Sequence, residues 1–576
     1  MVAILKHLKP YSWSIVLIAT LTLCAILLEL FLPTLMSGVV DHGIVNQDIP
    51  YILQTGGWMI ACSILAILLT ISSMFFSSRV ALGFGKDVRR KLFVRAENFS
   101  LSEFEKIGPA SLITRTTNDI KQVQDVLNMM LSMMTRAPLM LIGGIILAVS
   151  REPKLSLIFL GALPVLLVSI LLIARKAIPL FGVLQKRTDR LNLILRESLI
   201  GTRVIRAFNR VDFEKQRFNT ANHDYRDTGI RVNKIIAFLP PVMILVMSLT
   251  NVAIIWFGAI QLDQGALQVG NLMAFLQYAM MILIALVMMT MAFIMIPRAQ
   301  ASAKRINEVL QLTPSMKDEE AEKPNSALKG YIEFKHVTFR YEGAEKAAIE
   351  DISFSARPGQ TTAIIGSTGS GKTSLIQLIP RFYDIESGTI LINGVDIKKI
   401  SQQALRQKIG YVPQRASLFS GTIAENIRYG KEDASEDDIL EALDIAQASE
   451  FVNEKEHGIE TYIEQAGANL SGGQKQRVSI ARALVRKPEI YIFDDSFSAL
   501  DYKTDARLRQ ALAANTGDAT IILVAQRVST VVDADQIIVL DEGKVAGIGT
   551  HKQLLQTSTI YQEIVSSQQS EEESAS

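Results

Sequence analysis

The sequence predicts two domains of unlike class: an all-α transmembrane domain of six helices with long extensions on one side, followed by an α/β domain of the P-loop type. Three observations carry this. Of the 576 residues 49% are hydrophobic and the mean hydropathy is +0.25, yet the apolar runs crowd ahead of Pro297, and from Gln300 the chain is mixed, charged and rich in turn residues. Six of the apolar runs reach the roughly 20 residues that a bilayer crossing requires. After residue 331, β-rich runs at 331–341, 361–365, 490–494, 520–525 and 536–540 alternate with helix-forming segments, the pattern of a largely parallel sheet covered by helices.

Composition excludes several alternatives. A formal net charge of +2 gives no global basic field, so nucleic acid is not an expected partner. Cys24 and Cys62 sit in apolar runs without metal-ligand spacing and read as buried thiols, with no disulfide framework. Lys6 and Lys9 precede the first apolar run, but that run is too long for a signal-peptide core and lacks a small-residue cleavage site, so it reads as a retained first span.

The six runs are 13–40, 52–82, 127–149, 155–174, 238–260 and 272–296. The connecting stretches 39–50 and 261–271 contain no Lys or Arg, whereas those after the second and fourth runs carry Lys86, Arg89, Arg90, Lys91, Arg95 and Arg175, Lys176, Lys186, Arg187, Arg190, Arg203, Arg206. By the positive-inside rule the long basic stretches, both termini and the α/β domain are cytosolic, with the short turn 150–154 dissenting through Arg151 and Lys154. A multi-pass protein of the cytoplasmic membrane, bathed by the lipid bilayer, is therefore expected. The two basic stretches keep helical periodicity with almost no Pro or Gly, which predicts helical hairpins reaching some 30 Å beyond the membrane. Segments 102–114, interrupted at Gly108-Pro109, and 208–218 are the candidate short helices at the hairpin turns, placed to touch the α/β domain.

Two charges lie inside the spans, Glu29 in the first and Arg136 in the third. Counting along each helix puts them within about 5 Å of each other in depth. They read equally well as a functional charge pair or as an ion pair that holds helix register. The sixth run is methionine-rich, with Met273, Met280, Met281, Met288, Met289, Met291 and Met295; plain packing and an adaptable surface for apolar ligands both fit. Polar, acidic residues 313–328 with Pro314 and Pro324 form the linker, so the expected division is 1–312 membrane domain, 313–330 linker and 331–576 α/β domain.

The chemistry concentrates at Gly366, Ser367, Thr368, Gly369, Ser370, Gly371, Lys372 and Thr373, a P-loop between a β-run and a helix-forming run. Phosphate oxygens need several backbone N–H donors at close range, and a glycine-rich turn feeding a helix N-terminus supplies them. Lys372 is expected to reach the β- and γ-phosphates, and Thr373 to offer its hydroxyl to Mg²⁺. The chain is thus expected to bind a nucleoside triphosphate.

At Asn469-Leu470-Ser471-Gly472-Gly473-Gln474 the sequence resembles the LSGGQ signature of ATP-binding cassettes. The order of the other motifs agrees: Gln414 in Tyr411-Val412-Pro413-Gln414 resembles the Q-loop, Asp494 at the end of 490–494 resembles the Walker B aspartate, and Asp501 lies in what resembles the D-loop. Tyr341 in Phe339-Arg340-Tyr341 matches the aromatic that stacks on adenine. With six preceding spans, the whole chain is similar to the half-transporters of bacterial ABC exporters. The resemblance implies ATP and Mg²⁺ as cofactors, the metal held by Thr373, Gln414 and, through water, Asp494. It also implies that Ser471, Gly472, Gly473 and Gln474 contact ATP held by an opposite subunit, so that a second half-transporter is needed.

Two positions depart from the family pattern. Where the family places a water-polarising glutamate the chain has Asp495, and where it places a γ-phosphate-contacting histidine the chain has Gln526. Asp495 is one methylene short, and Gln526 cannot take a proton near neutral pH. The stretch 461–467, Thr-Tyr-Ile-Glu-Gln-Ala-Gly, also differs from the family's usual sequence ahead of the signature. Together these resemble the degenerate-site subunit of heterodimeric multidrug exporters. The expectation is an ATPase that exports small amphipathic or apolar compounds with a different partner subunit, its own ATP site weakened. Lipid or peptide export, and a regulatory ATP-binding subunit with little coupled hydrolysis, are the rivals.

Overall fold

A computed structural model describes residues 2–313, 315–316 and 328–575. The chain forms two units, Met1–Glu97 with Pro109–Leu312, and Asn98–Gly108 with Thr313–Ser576. The expected linker falls mostly on residues 314 and 317–327, outside the described residues.

Among the described residues of the first unit, six helical segments are long and apolar enough to cross a membrane: Lys6–Ile44, Ile49–Glu97, Pro109–Arg151, Pro153–Ile200, Val211–Asp263 and Val269–Thr290. Each overlaps one apolar run, and the second to fifth overshoot theirs. Intrahelical hydrogen bonding does not depend on side-chain polarity, so a helix continues past the apolar run until something breaks it. In chain order the helices named below are α1 (Ser12–Gly38), α2 (Ile49–Glu97), α3 (Leu101–Ile107), α4 (Pro109–Thr114), α5 (Ile120–Met129), α6 (Thr135–Arg151), α7 (Pro153–Ile200), α8 (Thr202–Ala207), α9 (Val211–Ile236), α10 (Leu239–Asp263) and α11 (Val269–Gln311).

The buried face of α11 carries Phe275, Tyr278, Ala279 and Ile282, the i, i+3, i+4, i+7 spacing of one helical stripe, packed against Ile26 and Leu30 of α1, Met140 of α6, Phe159 of α7 and Ile254 of α10. Phe159 stacks on Phe275 at 5.3 Å. The buried Tyr278 hydroxyl donates to Leu30 O at 3.0 Å and shares a 2.8 Å hydrogen bond with Thr34, which meets its need for a partner inside an apolar core. Met273, Met280 and Met295 are exposed, off this stripe. Arg136 Nη2 lies 2.6 Å from both oxygens of Glu29, so the two intramembrane charges form an ion pair. Arg136 follows a π-helical turn at Met130–Met134. The added residue of such a turn rotates everything after it about the helix axis, a feature that apolar periodicity does not reveal.

The extensions pair as antiparallel hairpins. α7 and α9 are tied by Arg187 to Asp224 at 2.6 Å and Arg217 to Glu197 at 2.5 Å; α2 meets the third segment, Pro109–Arg151, through Arg89 Nε donating to Thr116 O at 3.2 Å. The second turn differs from expectation. The short helix is α8, residues 202–207, not 208–218: Asn209 adopts φ 50° and breaks the chain there, and 211–218 already belongs to α9. An Asn in the left-handed region is a helix stop that residue-type periodicity does not weigh.

In the second unit, β3 (Thr361–Gly366), β6 (Ile409–Val412), β9 (Ile490–Asp494), β10 (Thr520–Val524), β11 (Gln536–Asp541) and β12 (Lys544–Gly549) form a six-stranded sheet of order β12-β11-β3-β10-β9-β6, parallel except for the β11–β12 hairpin. The first β-rich run lies elsewhere: β1 (Ile332–Phe339) pairs antiparallel with β2 (Ile349–Ala356) and β4 (Ser387–Ile392), β5 (Val395–Asp396) follows through the turn Asn393-Gly394, and β7 (Gly421–Thr422) pairs with β8 (Tyr462–Ile463). Both turn residues have positive φ, 54° and 81°, the geometry that two-residue hairpins demand. Residues 98–108 join this unit. Ser100 caps α3 in a capping box with Glu103, whose carboxylate takes the N–H groups of Ser100 at 2.7 Å and Ser315 at 2.9 Å. Lys106 pairs with Glu342 at 2.8 Å and Tyr383 donates to Glu105 at 3.1 Å. Gly108, at φ 78°, ends α3.

Candidate nucleotide site

The strand order places the carboxyl ends of β3, β10 and β9 side by side, where an open parallel sheet leaves a crevice for ligands. β3 delivers the loop 366–371 to α12 (Lys372–Leu378), whose N-cap Gly371 sits at φ 96°. A Cβ there would stand 2.7 Å from Ala348 O, and one on Gly366 would stand 2.2 Å from Leu540 O, so this path is open only to glycine. A cavity of about 1410 Å³ lies over the loop, walled by Tyr341, Thr368, Gly369, Lys372, Thr373, Gln414, Asp494, Asp495 and Gln526 among others.

Within it Lys372 Nζ donates to the loop's own carbonyls, Gly366 O and Ser367 O, each at 2.8 Å. Burial pushes its ammonium below the usual lysine range, and the Asp495 and Asp494 carboxylates pull it part of the way back. The Ser370 hydroxyl is buried with no hydrogen-bond partner among the described residues. A desolvated cation and a loop of backbone N–H groups fit a polyphosphate, which would satisfy both.

Asp494 ends β9 buried. Thr373 Oγ1 donates to its Oδ1 at 3.1 Å and the Tyr411 hydroxyl to its Oδ2 at 3.4 Å. Burial pushes the Asp494 carboxyl up, partly opposed by those two hydroxyls, and pushes the Tyr411 phenol up as well. Asp495 stands at φ 46°, a left-handed conformation that turns its side chain from the strand toward the cavity. Its Oδ2 accepts from Gln526 Nε2 at 2.8 Å and from Gln414 Nε2 at 3.2 Å. The donors around Thr373, Asp494 and Gln414 are all hard oxygens or amides, too few for an all-protein cage, and fit a Mg²⁺ ion that keeps waters and phosphate oxygens as its other ligands.

Tyr341 lies on the cavity wall with its hydroxyl 2.8 Å from Ser374 Oγ and its ring edge-on to Phe339 and Tyr383. Ser471, Gly472, Gly473 and Gln474 line no part of this cavity. They open α13 (Gly472–Leu484) at an exposed N-terminus, where Ser471 Oγ accepts from Gln474 N–H at 3.3 Å and Gln474 Oε1 accepts from Ser471 N–H at 3.0 Å. Asp501 caps the next helix, Tyr502–Asn515, and the Thr504 donors hold its carboxyl below the usual range. Tyr411 is the site residue that sequence reasoning passed over. It lies within the quoted Tyr411-Val412-Pro413-Gln414, and only the pairing of β6 with β9, Tyr411 opposite Ile492, brings it to Asp494.

Comparison with known proteins follows the same two-part division. Residues 15–287 match the family described as ABC transporter transmembrane region, and residues 349–498 the family described as ABC transporter. The chain is 41% identical to an uncharacterized ABC transporter ATP-binding protein of Bacillus subtilis over 98% of each chain, and 40% identical to one of Mycobacterium tuberculosis over 98% of this chain and 97% of that one. It is 35% identical to a fatty acid ABC transporter ATP-binding/permease protein of Mycobacterium bovis over 81% of this chain and 74% of the relative. Among solved structures, a bacterial Atm1-family ABC exporter with ATP bound matches with a TM-score of 0.81 at 25% identity, covering 97% of this chain and 98% of that one.

Proposed function

The chain belongs to the ABC transporter family, as a multi-pass exporter half-transporter that couples ATP hydrolysis to transport, and we propose that its cargo is amphipathic or apolar, that it pairs with a different subunit, and that its own ATP site is the slower of the pair. One observation carries the asymmetry. Asp495 Oδ2 accepts from two amide donors, Gln526 and Gln414. The two amides occupy that oxygen, the side chain is one methylene shorter than the glutamate the family places there, and neither amide can take a proton near neutral pH.

In this reading ATP enters the cavity over residues 366–373, with adenine against Tyr341. Lys372 exchanges the two loop carbonyls for β- and γ-phosphate oxygens. Thr373, Gln414 and, through water, Asp494 would hold Mg²⁺, which would supply charge neutralisation there. Ser471, Gly472, Gly473 and Gln474, exposed at the start of α13, serve the ATP of the opposing subunit, with the helix N-terminus facing its phosphate. Asp501 lies near that seam. The basic extensions favour a cytosolic face for the cassette and both termini, in the cytoplasmic membrane. Residues 1–312, 313–330 and 331–576 serve as membrane domain, linker and cassette.

Multidrug-type export is supported by the exposed methionines of α11, whose side chains adapt to varied apolar shapes. A second reading, export of a lipid, is favoured by the relative named for fatty acids. The test is to isolate this chain from native membranes, identify the subunit that accompanies it, and measure ATP turnover of the pair and of this chain alone in nanodiscs, with and without an amphipathic dye or a long-chain fatty acid. Full turnover by this chain alone would overturn the pairing, and whichever compound stimulates the pair assigns the cargo class.

A further inference from the structure

α15 (Thr559–Ala575) packs beside the loop that carries Gln526. Tyr561 and Val565 are buried, with Ile564 beside them, against Ala525 and against Val528 and Val531 of α14 (Val528–Val531). Continuing the stripe, 561, 564, 565 and 568 share one helical face. The side chain at 568 is therefore delivered to the loop between β10 and α14. Gln568 makes two hydrogen bonds there: its Nε2 donates to Gln526 O at 2.8 Å, and its Oε1 accepts from Val528 N–H at 2.8 Å.

A primary amide has one donor edge and one acceptor edge side by side, and it bridges two backbone groups much as a neighbouring strand would. Ala525 N–H is held from the other side by Ile364 O of β3, at 3.1 Å. The loop is thus fixed before Gln526 by the sheet and at Gln526 by α15. Its side chain projects from that fixed backbone onto Asp495 at 2.8 Å. Gln526 has more side-chain torsions than a ring would, so the aim of its amide depends on where its backbone is held.

We propose that Gln568 is a positioning residue for the nucleotide site: its two-point clasp on Gln526 O and Val528 N–H aims the Gln526 amide at Asp495 and at the terminal phosphate of ATP bound over Lys372. Gln568 acts through Gln526 and touches no nucleotide itself. The proposal rests on the ATP site of the proposed function and takes Gln526, which stands where the family has a γ-phosphate-contacting histidine, as a phosphate contact. Both edges of the amide are needed, so Gln568→Glu, nearly the same in shape, keeps the acceptor for Val528 N–H but places a carboxylate oxygen against Gln526 O and loses the clasp.

The test uses the full-length transporter with its accompanying subunit in nanodiscs. A radiolabelled azido-ATP is loaded, chased with unlabelled ATP and photolinked, and the dwell time on this chain's own site is read from the label it retains. Hydrogen exchange of the 525–528 amides is followed in parallel. Gln568→Ala and Gln568→Glu are both expected to speed exchange at Val528 and to shorten the dwell time roughly 3- to 10-fold, the scale of one or two lost hydrogen bonds. In a Gln526→Ala background neither is expected to shorten it further, because the clasp has nothing left to aim. Normal exchange and dwell time in Gln568→Glu would overturn the proposal, as would a Gln568 effect that adds in full to that of Gln526→Ala. An effective Gln526→Ala with silent Gln568 variants sinks the clasp alone, whereas a silent Gln526→Ala sinks the phosphate-contact reading and the clasp with it.

Discussion

Gln526 Nε2 donates to Asp495 Oδ2 across 2.8 Å, so the two residues that depart from the family pattern at separate points of the sequence are partners in space. Because β10 runs parallel to β9 with Val524 opposite Asp494, the residues that follow each strand emerge together. A shortened carboxylate beside an amide forms a closed pair, where a longer carboxylate beside an imidazole would form an acid–base pair.

That pairing predicts unequal losses. Ser471→Ala removes a donor proposed to act at the partner's ATP and is expected to lower steady-state turnover of the proposed heterodimer about 10²-fold or more. Asp495→Ala is expected to lower it less than about 3-fold, since the shortened carboxylate is displaced from where the family's glutamate meets the attacking water. ATPase rates of the two purified variants decide this, and equal losses would count against unequal sites. Asp495→Glu combined with Gln526→His should raise turnover above that of either single change.

Lys372→Ala is expected to weaken ATP binding at this chain's own site by roughly 10- to 100-fold, because the ammonium now satisfied by Gly366 O and Ser367 O is lost to the phosphates. The measurement is photolabelling of this chain across an ATP titration. Labelling indistinguishable from the unmodified chain would refute the assignment of the loop.

The Glu29–Arg136 pair is half-sheltered among the spans, so removing one partner leaves a charge without its counterion. Glu29→Gln alone is expected to cost about 3 kcal/mol. Glu29→Gln with Arg136→Gln should cost less than the single change, and exchanging the two charges should recover part of the loss. Melting temperatures in nanodiscs test this; additive single and double effects would remove the pair as a stabilising unit.

The Glu103 carboxyl offers a pH dependence. Burial alone would raise it, but hydrogen bonds from the Ser100 hydroxyl, from Ser315 and from the Ser100 N–H hold it below the usual carboxylate range. A depressed folded pKa means stability that is present above the ordinary glutamate value near 4.5 and lost as pH falls through the folded value. Protection of the α3 amides against hydrogen exchange should therefore be flat at neutral pH and fall on acidification below about pH 4.5. Glu103→Gln should lower that protection by about 1 kcal/mol at neutral pH and abolish the acid step.

The division between what the chain's order dictates and what its folding adds follows the range of the forces involved. Span number and the identity of the P-loop were legible because both are local: a bilayer crossing needs only a contiguous apolar length, and a phosphate cradle needs consecutive backbone N–H groups on one glycine turn. Glu29 and Arg136 could be matched in depth by counting residues, but whether they meet depends on rotation about each helix axis, which the packing of neighbouring helices and the π-turn at Met130–Met134 decide. The first β-rich run looked like part of the parallel sheet because alternation does not name a strand's neighbours; antiparallel pairing with β2 and β4 puts it in a separate sheet. Asp495, Gln526, Gln414 and Gln568 converge from four separate segments, and no periodicity relates them. Only strand register and the seating of α15 bring the Gln526 and Gln414 amides to the Asp495 carboxylate and the Gln568 amide to the Gln526 backbone, since a hydrogen bond is directional and ends within about 3.5 Å.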